Sequence, residues 1–486
     1  MTKEILKMIW NFEKMSTLFS TQYQKLLLSG KWGVERELQR VTYDGDLALT
    51  PHPVAFGDKL KNKEITTDFS ESQLELITPA FTTVEEVDHY LKYLHNKVAK
   101  DVGNEFLWPL SMPPRLPEDE YIPIARFDNT EEGRAAYIYR QGLANRYGKK
   151  MQMISGIHFN FSFSEDFLLI MYREFGENGK ISEFTDELYF SVARNFLRYR
   201  WLIIYLFGAS PSYDDTYDAV LKEQMENIRK CCPECFNQYE EYATSLRVSR
   251  FGYSNTVQAR NPIFYNSKDE YIHGIQVLMS KKSRKFAKLD VQLNKMILQK
   301  DSEFYSPIRL KQIIEPKESQ IDALEQRGVK YAEVRILDNN PFEKTGISLE
   351  QMRFLQVFML YCLFDESKPM NSDEMNRINN NHHLVALSGR RPNLMLNRLN
   401  SGKISLKEWG KSIFDKLYLI AKLLDHENNE NVYFLSVQME YRKLNNMSLL
   451  PSAMVQEEMN RRKESFLEFG MRKAKEYKEG VYKEEL

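Results

Sequence analysis

Cysteine is scarce here, with four in 486 residues. That is too few for a disulfide framework, and Cys231, Cys232 and Cys235 crowd into one polar stretch. The Cys232-Pro-Glu-Cys235 spacing offers half of a zinc site, but no second CxxC and no nearby histidine pair completes four ligands. Reduced surface thiols are the simpler reading, and Cys362, inside an apolar helical run, reads as core. Long hydrophobic runs are also missing. The longest, 201–209 and 354–364, fall short of the ~20 residues that a membrane-spanning helix requires. The opening MTKEILKMIWNFEK scatters charge through its apolar residues and has no signal-peptide h-region. A cytosolic chain with no membrane contact is expected. Charge of one sign is lacking too: 67 Lys and Arg against 68 Asp and Glu leave a net charge of -1 and no basic field for nucleic acid. No repeat recurs at a period of about 20 to 50 residues, which excludes solenoids and propellers. There is no GxxxxGK[ST] loop, no GxGxxG after a strand and no HRD or DFG set, so neither a P-loop NTPase nor a protein kinase is signalled.

What is present is a hydrophobic fraction of 42%, enough for one large core or two smaller ones. Apolar spacing of the helical kind runs through 84–99, 183–207, 349–364 and 406–424. The Pro-marked stretches 51–63 and 113–133 read as covering loops. A charged stretch, 214–241, reads as a solvated helical insertion, and 451–486 as a charged, exposed helical tail appended to a domain spanning 1–450. Phe354, Phe358 and Tyr361 sit at core spacing within a helix, so the aromatics form no base-stacking platform.

The informative segments alternate with period two. Glu35 and Glu37 share one face of GVEREL (33–38), and Glu75 points away from Leu74 and Leu76. His158 and Asn160 share a face of IHFNFSF opposite Ile157, Phe159 and Phe161. In AEVRIL, Glu333 and Arg335 oppose Ala332, Val334 and Ile336. An antiparallel sheet with its apolar side under helices and its polar side lining a cavity would bring these groups together. Converging carboxylates repel one another and rise in pKa unless cations hold them ionised. Several carboxylates with one imidazole suit Mg²⁺ or Mn²⁺ better than zinc. Such an ion completes its shell with substrate phosphates, which points to a nucleotide, and Arg335 suits a transferring phosphoryl group. The bland alternative is a set of amphipathic strands with ordinary solvated carboxylates.

At these segments the sequence resembles the glutamate-cysteine ligase family of the proteobacterial type. The resemblance runs along most of the chain through GVEREL, ITTDFSESQLELITP (65–79), WPLSMP (108–113), NRYGKKMQMISGIHFNFS (145–162), YLFGASP (205–211), YATSLRVSRFGYSN (242–255) and YAEVRILDNNPF (331–342). It implies an α+β fold with a six-stranded, funnel-like antiparallel sheet flanked by helices, akin to the catalytic domain of glutamine synthetase. It also implies ligation of the glutamate γ-carboxylate to the cysteine amine through a γ-glutamyl phosphate, with ATP as co-substrate. Metal ligands then fall on Glu35, Glu37, Asp68, Glu75, His158 and Glu333; Arg335 faces the phosphoryl group; and Tyr139, Arg247 and Tyr253 lie around the amino acids. No cysteine needs to be catalytic. Some relatives carry a further glutathione-completing domain, which is not expected here, and a monomer is expected. Alternatives are a γ-glutamyl ligase for another amine, a silent nucleotide- or glutamate-binding relative, and a phosphagen-type kinase. The remaining histidines, including a His382-His383 pair read as a polar loop, and Arg390 are taken as ordinary surface or satisfied side chains.

Overall fold

Alternation makes the central sheet two-faced. Strand β1 (Gly30–Val41) turns Trp32, Val34 and Leu38 to one side, each at most 3% exposed, and Glu35 and Glu37 to the other. Strand β3 (Gln73–Ile77) buries Leu74 and Leu76 on the same side, and β5 (Ile157–Phe163) buries Ile157, Phe159 and Phe161. β6 (Ile308–Lys311) and β7 (Tyr331–Leu337) add Ile308, Leu310, Ala332, Val334 and Ile336. With the short β2 (Ile65–Thr67), these strands form one antiparallel path, β2-β3-β1-β5-β7-β6. A seventh strand, β4 (Phe106–Leu107), pairs with the far end of β1, so among the described residues the sheet has seven strands against the six expected. Two residues carry no readable alternation, which is why β4 escapes a sequence reading.

The computed structural model describes residues 10–176, 179–231, 241–252, 261–398, 402–426 and 431–483. Helices Val84–Asp101 and Ile181–Phe207 cover the apolar side of the sheet. The first starts at a reciprocal cap, in which Thr83 accepts from the Glu86 amide while Glu86 reaches back to the Thr83 backbone. Helix Leu349–Phe364 is buried almost all round, Cys362 and its aromatics included, because it packs on Ile181–Phe207 and on the pair Leu406–Asp425 and Val432–Asn445. Among the described residues no helix is long and apolar enough to cross a membrane.

Two expectations change. His382 and His383 lie not in a polar loop but in helix Ser372–Ser388, where His382 is 4% exposed and donates from Nε2 to the Val248 carbonyl, 2.7 Å away. Asn371 caps that helix, so the asparagine run behind it extends the helix instead of breaking it. The terminal helix, Phe466–Lys483, is not an exposed tail. Phe466, Leu467, Phe469 and Ala474 are buried, and Gly470 lies so close to the Trp108 ring that a Cβ there would come within 2.1 Å of it. Its charged residues occupy only the outer face. The charged stretch does form a helix, Asp218–Cys231, anchored by the buried Tyr217 and Leu221, while Cys232 and Cys235 lie outside the described residues.

Candidate active site

The polar side of the sheet gathers most of the residues singled out by the alternation. Register places Glu37 opposite Glu75, Glu35 opposite His158, and Asn160 opposite Glu333. Between Ile157 and Phe159 the β5–β7 pairing slips by one residue, so Arg335 and Ile336 both stand opposite His158. A bulge of this kind re-aims side chains.

Two groups share the imidazole of His158: Glu35, His158 and Glu333 in one, and Glu37, Glu75 and His158 in the other. Within each group the candidate ligand atoms lie within 4.8 Å of one another. His158 Nδ1 is 3.1 Å from Glu35 Oε2 and 3.9 Å from Glu333 Oε1, and its Nε2 is 3.7 Å from Glu37 Oε1. Asn160 Nδ2 donates to Glu35 Oε1 at 2.8 Å, and the Gly156 amide donates to Glu37 Oε2 at 2.8 Å. Asp68 stands apart from both groups. It is exposed on the β2–β3 connection, yet its charge raises the pKa of both Glu37 and Glu75, so it faces the same space.

A basic half adjoins this acidic one. Arg335 Nη1 donates to Glu333 Oε2 at 3.0 Å, and Lys311 Nζ donates to Glu333 Oε1 at 3.2 Å. Arg247, 7% exposed, donates from Nη2 to the Arg335 carbonyl at 3.0 Å, and its Nη1 is 3.6 Å from Asp338 Oδ1. Tyr139 is half-buried on helix Glu131–Tyr147, with Lys300 Nζ 3.9 Å from its ring centroid. Tyr253 lies outside the described residues.

These surroundings divide the carboxylates. Burial opposes ionisation of Glu333, but Lys311, Arg335 and His158 outweigh it and hold the group well below its ordinary range. Glu35 is lowered as well, the hydrogen bond with His158 overcoming burial. Glu37 is raised by burial, and Glu75 well raised by burial and then by Glu35, Asp68 and Glu37. A carboxylate pushed up by its neighbours is one that a cation would hold ionised.

The donor set tests whether a metal fits. Four carboxylates and one imidazole are predominantly hard oxygen donors, and Asn160 Oδ1 is a further buried oxygen without a hydrogen-bond partner. This suits Mg²⁺ or Mn²⁺. Sequence reading missed Lys311 and the adjacent Arg309, both on the polar side of β6. Their four-residue strand is too short to stand out, although the alternation Ile308-Arg309-Leu310-Lys311 was its signal.

Fold and site together define an α+β protein with a carboxylate-rich, cation-ready centre on one sheet face, set against basic side chains suited to phosphate. The glutamate-cysteine ligase family profile matches residues 15–385. The glutamate-cysteine ligase of Clostridium acetobutylicum is 53% identical over 476 residues, 96% of this chain and 99% of that one. That of Pseudomonas savastanoi pv. phaseolicola is 40% identical over 92% of this chain and 84% of its own length. Among solved structures, the Francisella tularensis glutamate-cysteine ligase in complex with AMP aligns with a TM-score of 0.83 at 33% identity, covering 93% of this chain and 89% of that one. A bifunctional glutathione synthetase from Pasteurella multocida aligns with a TM-score of 0.76 at 28% identity, covering 96% of this chain and 55% of that one. The chain belongs to the glutamate-cysteine ligase family.

Proposed function

We propose that this protein joins the γ-carboxylate of L-glutamate to the amino group of L-cysteine at the expense of ATP, giving γ-glutamylcysteine, ADP and phosphate, the first step of glutathione synthesis. Family membership and the AMP complex of the Francisella relative support the reaction and its nucleotide. The observation that carries it is the pair of ligand groups sharing His158, with Arg335 and Lys311 on Glu333 beside them.

The chemistry runs in two steps. The glutamate γ-carboxylate attacks the γ-phosphorus of ATP, ADP departs, and a γ-glutamyl phosphate forms. The cysteine amine then attacks the acyl carbon, loses a proton and expels phosphate. A bare carboxylate has no adequate leaving group, whereas the mixed anhydride releases phosphate readily. Glu35, Glu37, Glu75, Glu333 and His158 would hold Mg²⁺ or Mn²⁺, with Asp68 at the rim. Such an ion, when bound, neutralises phosphate charge and aligns the polyphosphate. Arg335 is oriented by Glu333 so that its guanidinium offers donors to the phosphoryl group in transit. Arg247, held by the Arg335 carbonyl and Asp338, and Tyr139, beside Lys300, bind the amino acids in this reading, with Tyr253.

The curvature we assign to the sheet is that of a funnel related to the glutamine synthetase catalytic fold, with the ligand groups inside it. Residues 1–450 carry the catalytic face, and the helices of 451–486 pack into the same core through Val455, Phe466, Leu467 and Phe469. The enzyme works in the cytosol as a monomer, a state that sedimentation at enzyme-assay concentration tests. Purified protein given Mg²⁺, ATP, glutamate and cysteine should release phosphate and yield γ-glutamylcysteine by mass spectrometry. Phosphate release only with another amine, or a phosphorylated small molecule without amide, overturns the assignment.

A further inference from the structure

Glu333 is held by two cations, one on each oxygen: Lys311 on Oε1 and Arg335 on Oε2. Glu35 also acts on both cations and Glu37 on Arg335, so the pair stands against the acidic face. Burial shows where the two cations face. The Glu333 side chain is 1% exposed, whereas that of Lys311 is 23% exposed and that of Arg335 is 18%. Both cations therefore open onto the space in front of the sheet.

Strand β6, which carries Lys311, is the outer strand of its path and, among the described residues, pairs only with β7. Arg309, the other cation of β6, is committed elsewhere, because its Nη2 donates to the carbonyls of Ser302 and Phe304. Lys311 has no such backbone tether. Its ammonium lies 5.6 Å from the centroid of the Tyr331 ring and also donates a hydrogen bond to the Tyr331 hydroxyl, which guides the side chain along the strand pair. An ammonium is a point charge with three donors, and the bonds to Glu333 and Tyr331 leave one for an anion.

The geometry points to Lys311 as a nucleotide-binding residue that contacts the polyphosphate of ATP from the β6 side, across Glu333 from Arg335. This inference rests on the ligase reading above. The two cations would grip the phosphates from two sides of one carboxylate, Arg335 with its planar fork and Lys311 with its movable ammonium. Mere neutralisation of Glu333 is the competing role, and the two differ in what the loss of Lys311 changes.

Three variants, Lys311→Ala, Lys311→Gln and Lys311→Arg, separate the roles. The first readout needs no turnover: thermal stabilisation of the protein by inorganic tripolyphosphate at fixed Mg²⁺, and the Kd of a non-hydrolysable ATP analogue. Lys311→Ala and Lys311→Gln should lose the tripolyphosphate response and weaken analogue binding by about tenfold or more, while Lys311→Arg retains most of both. In steady state the KM for ATP should rise while the KM for glutamate and cysteine stays within about twofold. An unchanged analogue Kd overturns the proposal, as does an equal rise of all three KM values. If the neutral variants do not fold, wild-type protein decides: the ATP analogue should shield Lys311 from an amine-acylating reagent, read by peptide mass spectrometry. Shielding supports the role, and acylation of Lys311 at an unchanged rate overturns it. Wild-type protein that binds the analogue through Lys311 yet makes no γ-glutamylcysteine would sink the ligase reading and leave this inference standing.

Discussion

At the scale of single residues, Glu333 is the most exposed to test, because it meets His158, Lys311 and Arg335 at once. Glu333→Gln keeps its shape but removes the charge that anchors both cations. Turnover should fall by about a thousandfold with the protein still folded, as judged by circular dichroism and phosphate release. Unchanged turnover would refute its place in the site. A second prediction concerns protons. Burial, Lys59 and Arg40 push His52 down to about 4, and burial beside arginines holds His95, His382 and His383 well below the usual imidazole range. Below about pH 6.5 the unfolded chain takes up protons at these positions and the folded chain does not, so stability falls as pH drops toward the folded values. The thermal midpoint should decline by several degrees from about pH 7 to pH 5, and the decline should shrink in His382→Phe. Sequence alone could not foresee this. The His382-His383 pair looks polar and local until Val248, 134 residues away, supplies the partner carbonyl.

At the scale of elements, alternation along β1, β3, β5 and β7 was readable, because a strand presents its odd and even residues to opposite faces whatever its neighbours are. The pairing register was not readable, and it decides which carboxylates meet. Gly156 shows the consequence. Its amide binds Glu37, its carbonyl accepts from the Glu37 amide at 3.0 Å, and a Cβ would sit 1.8 Å from Arg247 Nη2. Gly156→Ala should displace Arg247, raising the KM for an amino-acid substrate about tenfold or more with a smaller change in the KM for ATP. Equal effects on all substrates would count against Arg247 as an amino-acid ligand. The terminal helix carries a stability prediction: Phe469, 0% exposed, faces the Phe342 ring at 6.2 Å, and Phe469→Ala should cost about 3–5 kcal/mol in denaturant unfolding. A loss under about 1 kcal/mol would mean that the helix is dispensable to the fold.

At the scale of the whole molecule, the acidic face is a cost that a bound cation would remove. Divalent ions that bind only the folded protein should raise its thermal midpoint in proportion to the logarithm of their concentration. Mg²⁺ and Mn²⁺ should both do so for wild type, and Glu35→Gln or Glu75→Gln should abolish most of the gain. A gain untouched by either substitution would place the ions elsewhere. By itself, the amino-acid sequence determined which side chains share a strand face, which helices carry a core stripe, and, through its motifs, the family. Those properties follow from local periodicity and from uninterrupted strings of residues. Tertiary structure alone decided that Glu35, Glu37, Glu75, Glu333 and His158 converge while Asp68 stands at the rim. It also decided that Lys311 and Arg335 divide one carboxylate, that the charged terminal helix is half core, and that the sheet gains a seventh strand. The reason is that strand register, bulges and long-range burial are set by pairings between segments far apart in the chain, and no local pattern encodes them.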